Sequence, residues 1–319
     1  MDVSVVVPTR NRSALLPMTL RSVQRQTDVE LEIIVVDDAS NDDTADVVAT
    51  FDDPRVRPIR NTTRTGPNAA RNRGAREARG DWLAFVDDDD LWAPDKLARQ
   101  VSVATEHGFA WVYAGAVNVD GHLRIIHGVP APDPATVAAA LSRSNPIPAG
   151  ASNVVIRRSV FDAVGGFNED LRACEEWDLW LRLVRIEAPG RVPSPLVAYR
   201  MHRGNAILDV ATIVKGAKRF ERLHGTTIDW GLFHHWLAQL SLRGGDRRQA
   251  RREFLRAALA GRAREVGADV VTLTRAGLRR RLGRPPAEGR RTGDAAWQDQ
   301  ARPWIEDLRR LEIEATDPR

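Results

Sequence analysis

The run Asp87, Asp88, Asp89, Asp90 sets four carboxylates side by side directly after the apolar stretch Trp82 to Val86. Adjacent carboxylates repel one another, so a strand end bearing them is costly unless a cation or hydrogen-bond donors offset the charge. Hard oxygen ligands with few other ligands nearby suit Mg²⁺ or Mn²⁺ shared with a diphosphate better than zinc, which prefers His and Cys. A second acidic group, Glu175, Glu176 and Asp178, opens the segment Cys174 to Arg182. Asp178 and Arg182 stand four apart, the spacing of a structural ion pair, and Glu175 lies near that same helical face. Glu176 is turned about 100° away and has no partner at helical spacing. Near a helix N-terminus it is expected to stay ionised, as a general base must be before it takes a proton.

Two further places could hold a nucleotide. Asp37 and Asp38 close an apolar run, and Ser40 with Asp43 forms a capping box that leaves Asp37 with no local role. An acceptor-only carboxylate there can take the imide proton of a uracil base. The stretch Thr65, Gly66, Pro67, Asn68, Arg71, Asn72, Gly74 is a glycine-containing loop running into an Arg-bearing helix, able to offer backbone N–H groups and a guanidinium to a phosphate or ribose. Neither a Walker lysine signature nor a G-x-G-x-x-G fingerprint is present, which removes the main support for an ATPase or a dehydrogenase. His202, taken alone, reads as structural or solvent-exposed.

The elements that must position these groups alternate: Val3 to Val7, Glu32 to Val36, Val56 to Ile59 and Trp82 to Val86 are strand-like, with helical segments at Leu15 to Val23, Thr44 to Phe51 and Asn68 to Ala78. Such alternation predicts a mostly parallel sheet covered on both faces, with ligands at the carboxyl edge of the strands. Strand-like runs at Phe109 to Tyr113 and Ser152 to Ile156 continue it as a mixed sheet. After Tyr199 the texture changes. Phe220 to Leu242 and Ala250 to Leu259 carry helical spacing around the turn Gly244, Gly245, Asp246, which predicts a helical hairpin within 206–285. Residues 286–319 form a polar tail, docked through Trp297 and Trp304 or disordered.

The chain has 319 residues, a single cysteine, a net charge of +4 carried mostly by Arg, and no apolar stretch long enough to span a membrane. No signal sequence precedes Val3, so a cytoplasmic enzyme is expected; the basic stretch Arg275 to Arg291 reads first as a solvated basic tail, with an acidic surface at the inner face of a membrane or a polyanion as its candidate partners. No zinc-finger, helix-turn-helix or aromatic platform pattern supports a nucleic-acid partner. A homodimer through the C-terminal helices is left open.

Together these pieces resemble the inverting family 2 glycosyltransferases of the GT-A fold over Val3 to Asn205. The resemblance rests on Val5 to Asn11, on Val35 to Ser40, on Gly66 through Arg71, Asn72 and Gly74, on the aspartates with Leu91 and Trp92, on Gly165 to Phe167, and on Glu175 to Arg182, in that order. It implies a Rossmann-like mixed α/β sheet with helices on both faces over residues 1–205. It also implies that Pro8, Thr9 and Asn11 line the nucleotide pocket, that Asp37 binds the base, and that Asn68 and Arg71 help hold the donor. Asp87 and Asp89 match the ends of the family's D-x-D motif, with Asp89 at Mn²⁺ or Mg²⁺ and Asp88 near the ribose. Glu176 matches the family's base, where Asp is usual; the extra methylene displaces the carboxylate by about 1.5 Å, so Glu175 and Asp178 stay in play. His202 falls where related enzymes often place a histidine over the metal and diphosphate. The implied reaction moves a sugar from a nucleotide-sugar, a UDP-sugar on the Asp37 reading, to a glycan, lipid-linked sugar, small molecule or peptide. A nucleotidylyltransferase would need a Gly-rich N-terminal loop with a following lysine, absent here, and a catalytically silent module using its C-terminal helices is the alternative from another class.

Overall fold

The computed structural model describes residues 2–202, 209–269, 271 and 294–316; the basic stretch Arg275 to Arg291 lies outside them. The chain divides into two compact units, the first made of Met1–Leu141, Asn145–Met201 and Ala296–Arg319, the second of Ser142–Ser144 and His202–Ala295.

In the first unit, β1 (Val3–Thr9), β2 (Leu31–Asp37), β3 (Val56–Arg60) and β4 (Trp82–Phe85) pair in parallel in the order β3-β2-β1-β4. β1, β2 and β4 are buried along their whole length, which is why they read as unbroken apolar runs and not as alternation. Beyond β4 the sheet turns mixed. β8 (Val155–Arg157) runs antiparallel between β4 and β6 (Trp111–Val119), followed by β9 (Gly190–Arg200) parallel to β6 and the short β5 (Leu91–Trp92) antiparallel to β9. β7 (Ile125–Val129) pairs with β6 outside this path. The direction of strand addition reverses between β1 and β4, a switch point of the kind that opens a ligand crevice at the strand ends. Here those ends are Thr9, Asp37 and the aspartate run.

Helices α1 (Leu16–Gln24), α2 (Thr44–Ala49), α3 (Pro67–Arg76) and α4 (Lys96–His107) connect or flank the strands. α3 lies so close to the sheet that a Cβ at Gly74 would sit 2.3 Å from Val6 Cγ1, so only glycine fits there. After α5 (Pro134–Ala140) a single 3-10 turn, Gly150–Asn153, leads into β8, then α6 (Arg158–Ala163) and α7 (Glu175–Val184) precede β9. The last segment is a helix, Arg302–Thr316, whose Trp304, Ile305 and Leu308 join the core around Trp92. Trp297 packs over Gly115 and Gly128 and donates to Pro193 O at 2.9 Å.

The second unit holds α8 (Val210–His224), α9 (Trp230–Arg243) and α10 (Arg247–Ala257). The single helix expected over Phe220 to Leu242 is corrected to two. Gly225 ends α8 in the left-handed region at φ 61°, and Asp229 caps α9 by accepting from Leu232 N. Periodicity alone spans such a break because both helices bury apolar residues. α9 and α10 form the hairpin about Gly244 to Asp246.

Candidate active site

Arg71 joins the two acidic groups. It rises from α3 only 4% exposed, with Nη2 2.6 Å from Asp87 Oδ1 and Nη1 3.7 Å from Glu175 Oε1. Nη1 also donates to Asn68 Oδ1 at 3.1 Å, and the guanidinium lies over the Phe167 ring. Asn68 in turn donates to Leu171 O and Asn168 O, while Asn72 bonds Phe167 through both its amide groups and Glu169 through its nitrogen. α3 thus clamps the loop that leads into α7. Arg71 serves the carboxylates, and Asn68 is a strut for Arg71 and for the loop.

Glu175 and Glu176 occupy the first turn of α7, after Cys174 in a left-handed conformation at φ 63°. The expectation of an ionised Glu176 is corrected. Burial and the neighbouring Glu175 push its carboxyl up to about 8, outweighing Arg71 and the helix terminus. Gly150, itself left-handed at φ 48°, lies against it: a Cβ there would meet Glu176 Oε1 at 3.1 Å. Asp178 faces away into the structural pair anticipated for it. Arg182 holds its Oδ2 at 2.6 Å and also donates to Val164 O.

The aspartates divide by role. Asp90 is fully buried, accepting from Ser152 Oγ at 2.5 Å and Arg200 N at 3.0 Å. Burial and Asp89 hold it protonated well beyond the usual carboxylate range, and it ties the strand end to β9. Ser152 also accepts from Asp87 N at 3.0 Å, and its carbonyl takes the Trp92 indole N–H at 2.7 Å. Asp88 lies 3.4 Å from Arg12 Nε, and burial together with Asp89 raises it to about 7. Among the described residues no three His, Cys, Asp or Glu side chains are arranged to hold a metal by themselves. A Mg²⁺-type site completed by phosphate oxygens needs only one or two carboxylates, and the mutual repulsion that raises Asp88 is what a divalent cation relieves, so Asp87 to Asp89 fit such an ion.

At the β1 and β2 ends, Thr9 is 3% exposed and Pro8 pairs in register with Val36 inside the sheet. Asn11, at φ 55°, accepts from Asn41 N at 2.9 Å and donates its own N–H to Ser40 Oγ at 3.0 Å. Ser40 therefore clips two loops and does not cap α2, whose N-cap is Asp43. Asp37 also acts locally, since its Oδ1 accepts from Ser40 N at 2.8 Å. Its buried Oδ2 has no hydrogen-bond partner among the described residues, with Arg60 Nε 3.5 Å away. An open hollow of about 500 Å³, lined by Ala39, Ser40, Arg60, Asn61 and Thr62, adjoins it. Asp38, given no role from sequence, accepts from Asn61, Thr65 and Gly66 and shapes the loop before α3. Ser152 and Gly150 lie in the loop Asn145 to Asn153, expected from sequence to help build the donor and acceptor pockets, but no local pattern marks these two residues or their roles. His202 opens the second unit, next to residues 203–208 outside the described part.

A parallel sheet with a switch point, a carboxyl-edge aspartate cluster and an antiparallel extension defines a GT-A-like nucleotide-sugar transferase. The chain belongs to glycosyl transferase family 2, whose model matches residues 4–165, and a second model, glycosyltransferase like family 2, matches 136–241. A Haemophilus influenzae protein named as an uncharacterized glycosyltransferase is 32% identical over 206 residues, 62% of this chain and 68% of its own. The Campylobacter jejuni GalNAc(5)-diNAcBac-PP-undecaprenol beta-1,3-glucosyltransferase is 40% identical over 124 residues, 38% of this chain and 40% of that one, so the match spans under half of that enzyme. The Escherichia coli UDP-Glc:alpha-D-GlcNAc-diphosphoundecaprenol beta-1,3-glucosyltransferase WfgD is 28% identical over 183 residues, 57% and 70% of the two chains. In fold, the chain is similar to S. aureus TarS 1-349 crystallised with UDP-GlcNAc, with a TM-score of 0.56 at 18% identity over 82% of this chain and 74% of that one.

Proposed function

We propose that this glycosyltransferase uses a UDP-sugar and a divalent metal ion to glycosylate a hydroxyl of a lipid-linked sugar, inverting the anomeric carbon. The observation that carries the reading is the Arg71 bridge, which holds the strand-end aspartates and the Glu175–Glu176 pair around one centre. Asp37 Oδ2, which accepts no hydrogen bond among the described residues and has only the Arg60 guanidinium 3.5 Å away, lies beside an open hollow and supports uracil as the base, since an imide N–H is the hydrogen-bond donor it lacks. The names of the Campylobacter and Escherichia relatives favour a lipid diphosphate-linked acceptor.

Asp89 and Asp87 would hold Mn²⁺ or Mg²⁺, which when bound stabilises charge on a diphosphate leaving group. Glu176 takes the acceptor hydroxyl proton as the oxygen attacks the anomeric carbon from the face opposite the diphosphate. The pairing of Glu175 with Arg71 and of Asp178 with Arg182 supports Glu176 over either of them as the base. UDP release from a panel of UDP-sugars, with Mn²⁺ or with EDTA, tests this. Metal-dependent release that Glu176→Gln abolishes is expected. No release from any UDP-sugar in the folded protein would sink it and favour a silent binding module.

A further inference from the structure

α10 presents a face with no role in the sugar-transfer reading. Between Arg247 and Leu259 the chain carries five arginines and one acidic residue, Glu253, which is fully buried and taken by His234 and Arg256. The buried residues Ala250, Glu253, Phe254 and Ala257 mark one side of the helix. On the opposite side, Leu255 is 63% and Leu259 81% exposed. At about 100° per residue, the two leucines share the middle of the outward arc with Arg248, with Arg247 and Arg251 along one flank and Arg252 and Arg256 along the other. Arg247, Arg248, Arg251 and Arg252 are exposed and make no ion pair among the described residues.

We infer that this face docks on an anionic phospholipid bilayer. Arginines alone would suit any polyanion. Two large exposed apolar side chains set among the arginines of this arc do not suit a phosphate backbone, which offers them no apolar surface to bury against. Against a bilayer the leucines enter the boundary of headgroups and acyl chains while the flanking guanidinium groups reach lipid phosphates. Each such Arg strengthens binding to an anionic surface by roughly fivefold, weakening as salt screens it. This rests on α10 and on the turn Ala258–Arg262 that continues it and carries Leu259, and it stands whether or not the sugar-transfer reading holds.

The test is co-sedimentation of the full chain with vesicles of phosphatidylcholine, with and without about one third phosphatidylglycerol. Binding to the anionic vesicles alone, weakened by 0.5 M NaCl, is expected, and Arg251→Glu with Arg252→Glu should cut it by at least about tenfold. Leu255→Ser with Leu259→Ser should also weaken it severalfold at unchanged charge, and both pairs, being exposed, should keep the wild-type melting temperature. Equal binding to neutral vesicles, no binding to anionic ones, or wild-type binding by both variants would overturn the inference. So would loss of binding in the arginine pair only, which would identify a general polyanion site.

Discussion

A carboxyl pushed up to about 8 governs how Glu176 behaves. As a base it must be ionised, so kcat/KM should rise with pH through about 8 and level off above it, and a flat profile from pH 6 to 9 would contradict the assignment. Glu176→Gln should lower turnover by about 10²- to 10⁴-fold with UDP affinity retained, measured by single-turnover kinetics and calorimetry. A stability effect follows with a definite sign. Because the folded value is raised, the protonated form stabilises the fold fully below the unfolded value and that contribution is lost as pH rises through about 8. The Gln variant should therefore melt above wild type at pH 8.5, with the gap closing towards pH 5. Asp178→Asn should act otherwise, costing about 2 kcal/mol of stability through the lost Arg182 pair while turnover per folded molecule persists. The spacing of four disclosed that pair from sequence. The protonation of Glu176 was not legible, because it depends on burial and on which carboxylates the fold packs beside it.

The short 3-10 turn Gly150–Asn153 serves both halves of the site, with Ser152 under Asp87 and Asp90 and Gly150 against Glu176. Gly150→Ala puts a Cβ at 3.1 Å from Glu176 Oε1 in a left-handed backbone, so turnover should fall about tenfold or more while UDP binding holds. A variant with unchanged kcat would refute that positioning role. The parallel strands were legible because burial on both faces leaves continuous apolar runs, and so were the aspartates at their carboxyl edge. The turn was not, since Gly-Ala-Ser-Asn carries no periodicity and its function lies in contacts with residues about sixty positions earlier in the chain. The break between α8 and α9 was missed for another reason, because Gly225 to Asp229 is short and apolar residues resume at Ile228 and Trp230.

In the first unit the C-terminal helix completes the core, although its segment reads as polar: Leu308 is 3% exposed and Ile305 2%. Leu308→Ala should cost about 2 to 5 kcal/mol by denaturant titration, a penalty that an undocked tail would not show. Family membership, sheet and aspartate edge agree on a nucleotide-sugar enzyme; in the proposed function Asp87 to Asp89 hold the UDP diphosphate through a divalent ion and Asp37 takes the base. The most direct check is the melting temperature of wild type and Asp89→Ala against nucleoside diphosphates with Mn²⁺, Mg²⁺ or EDTA. A rise with UDP that requires the metal and disappears in Asp89→Ala is the predicted result. An equal rise in EDTA, or one with another diphosphate in place of UDP, would contradict it.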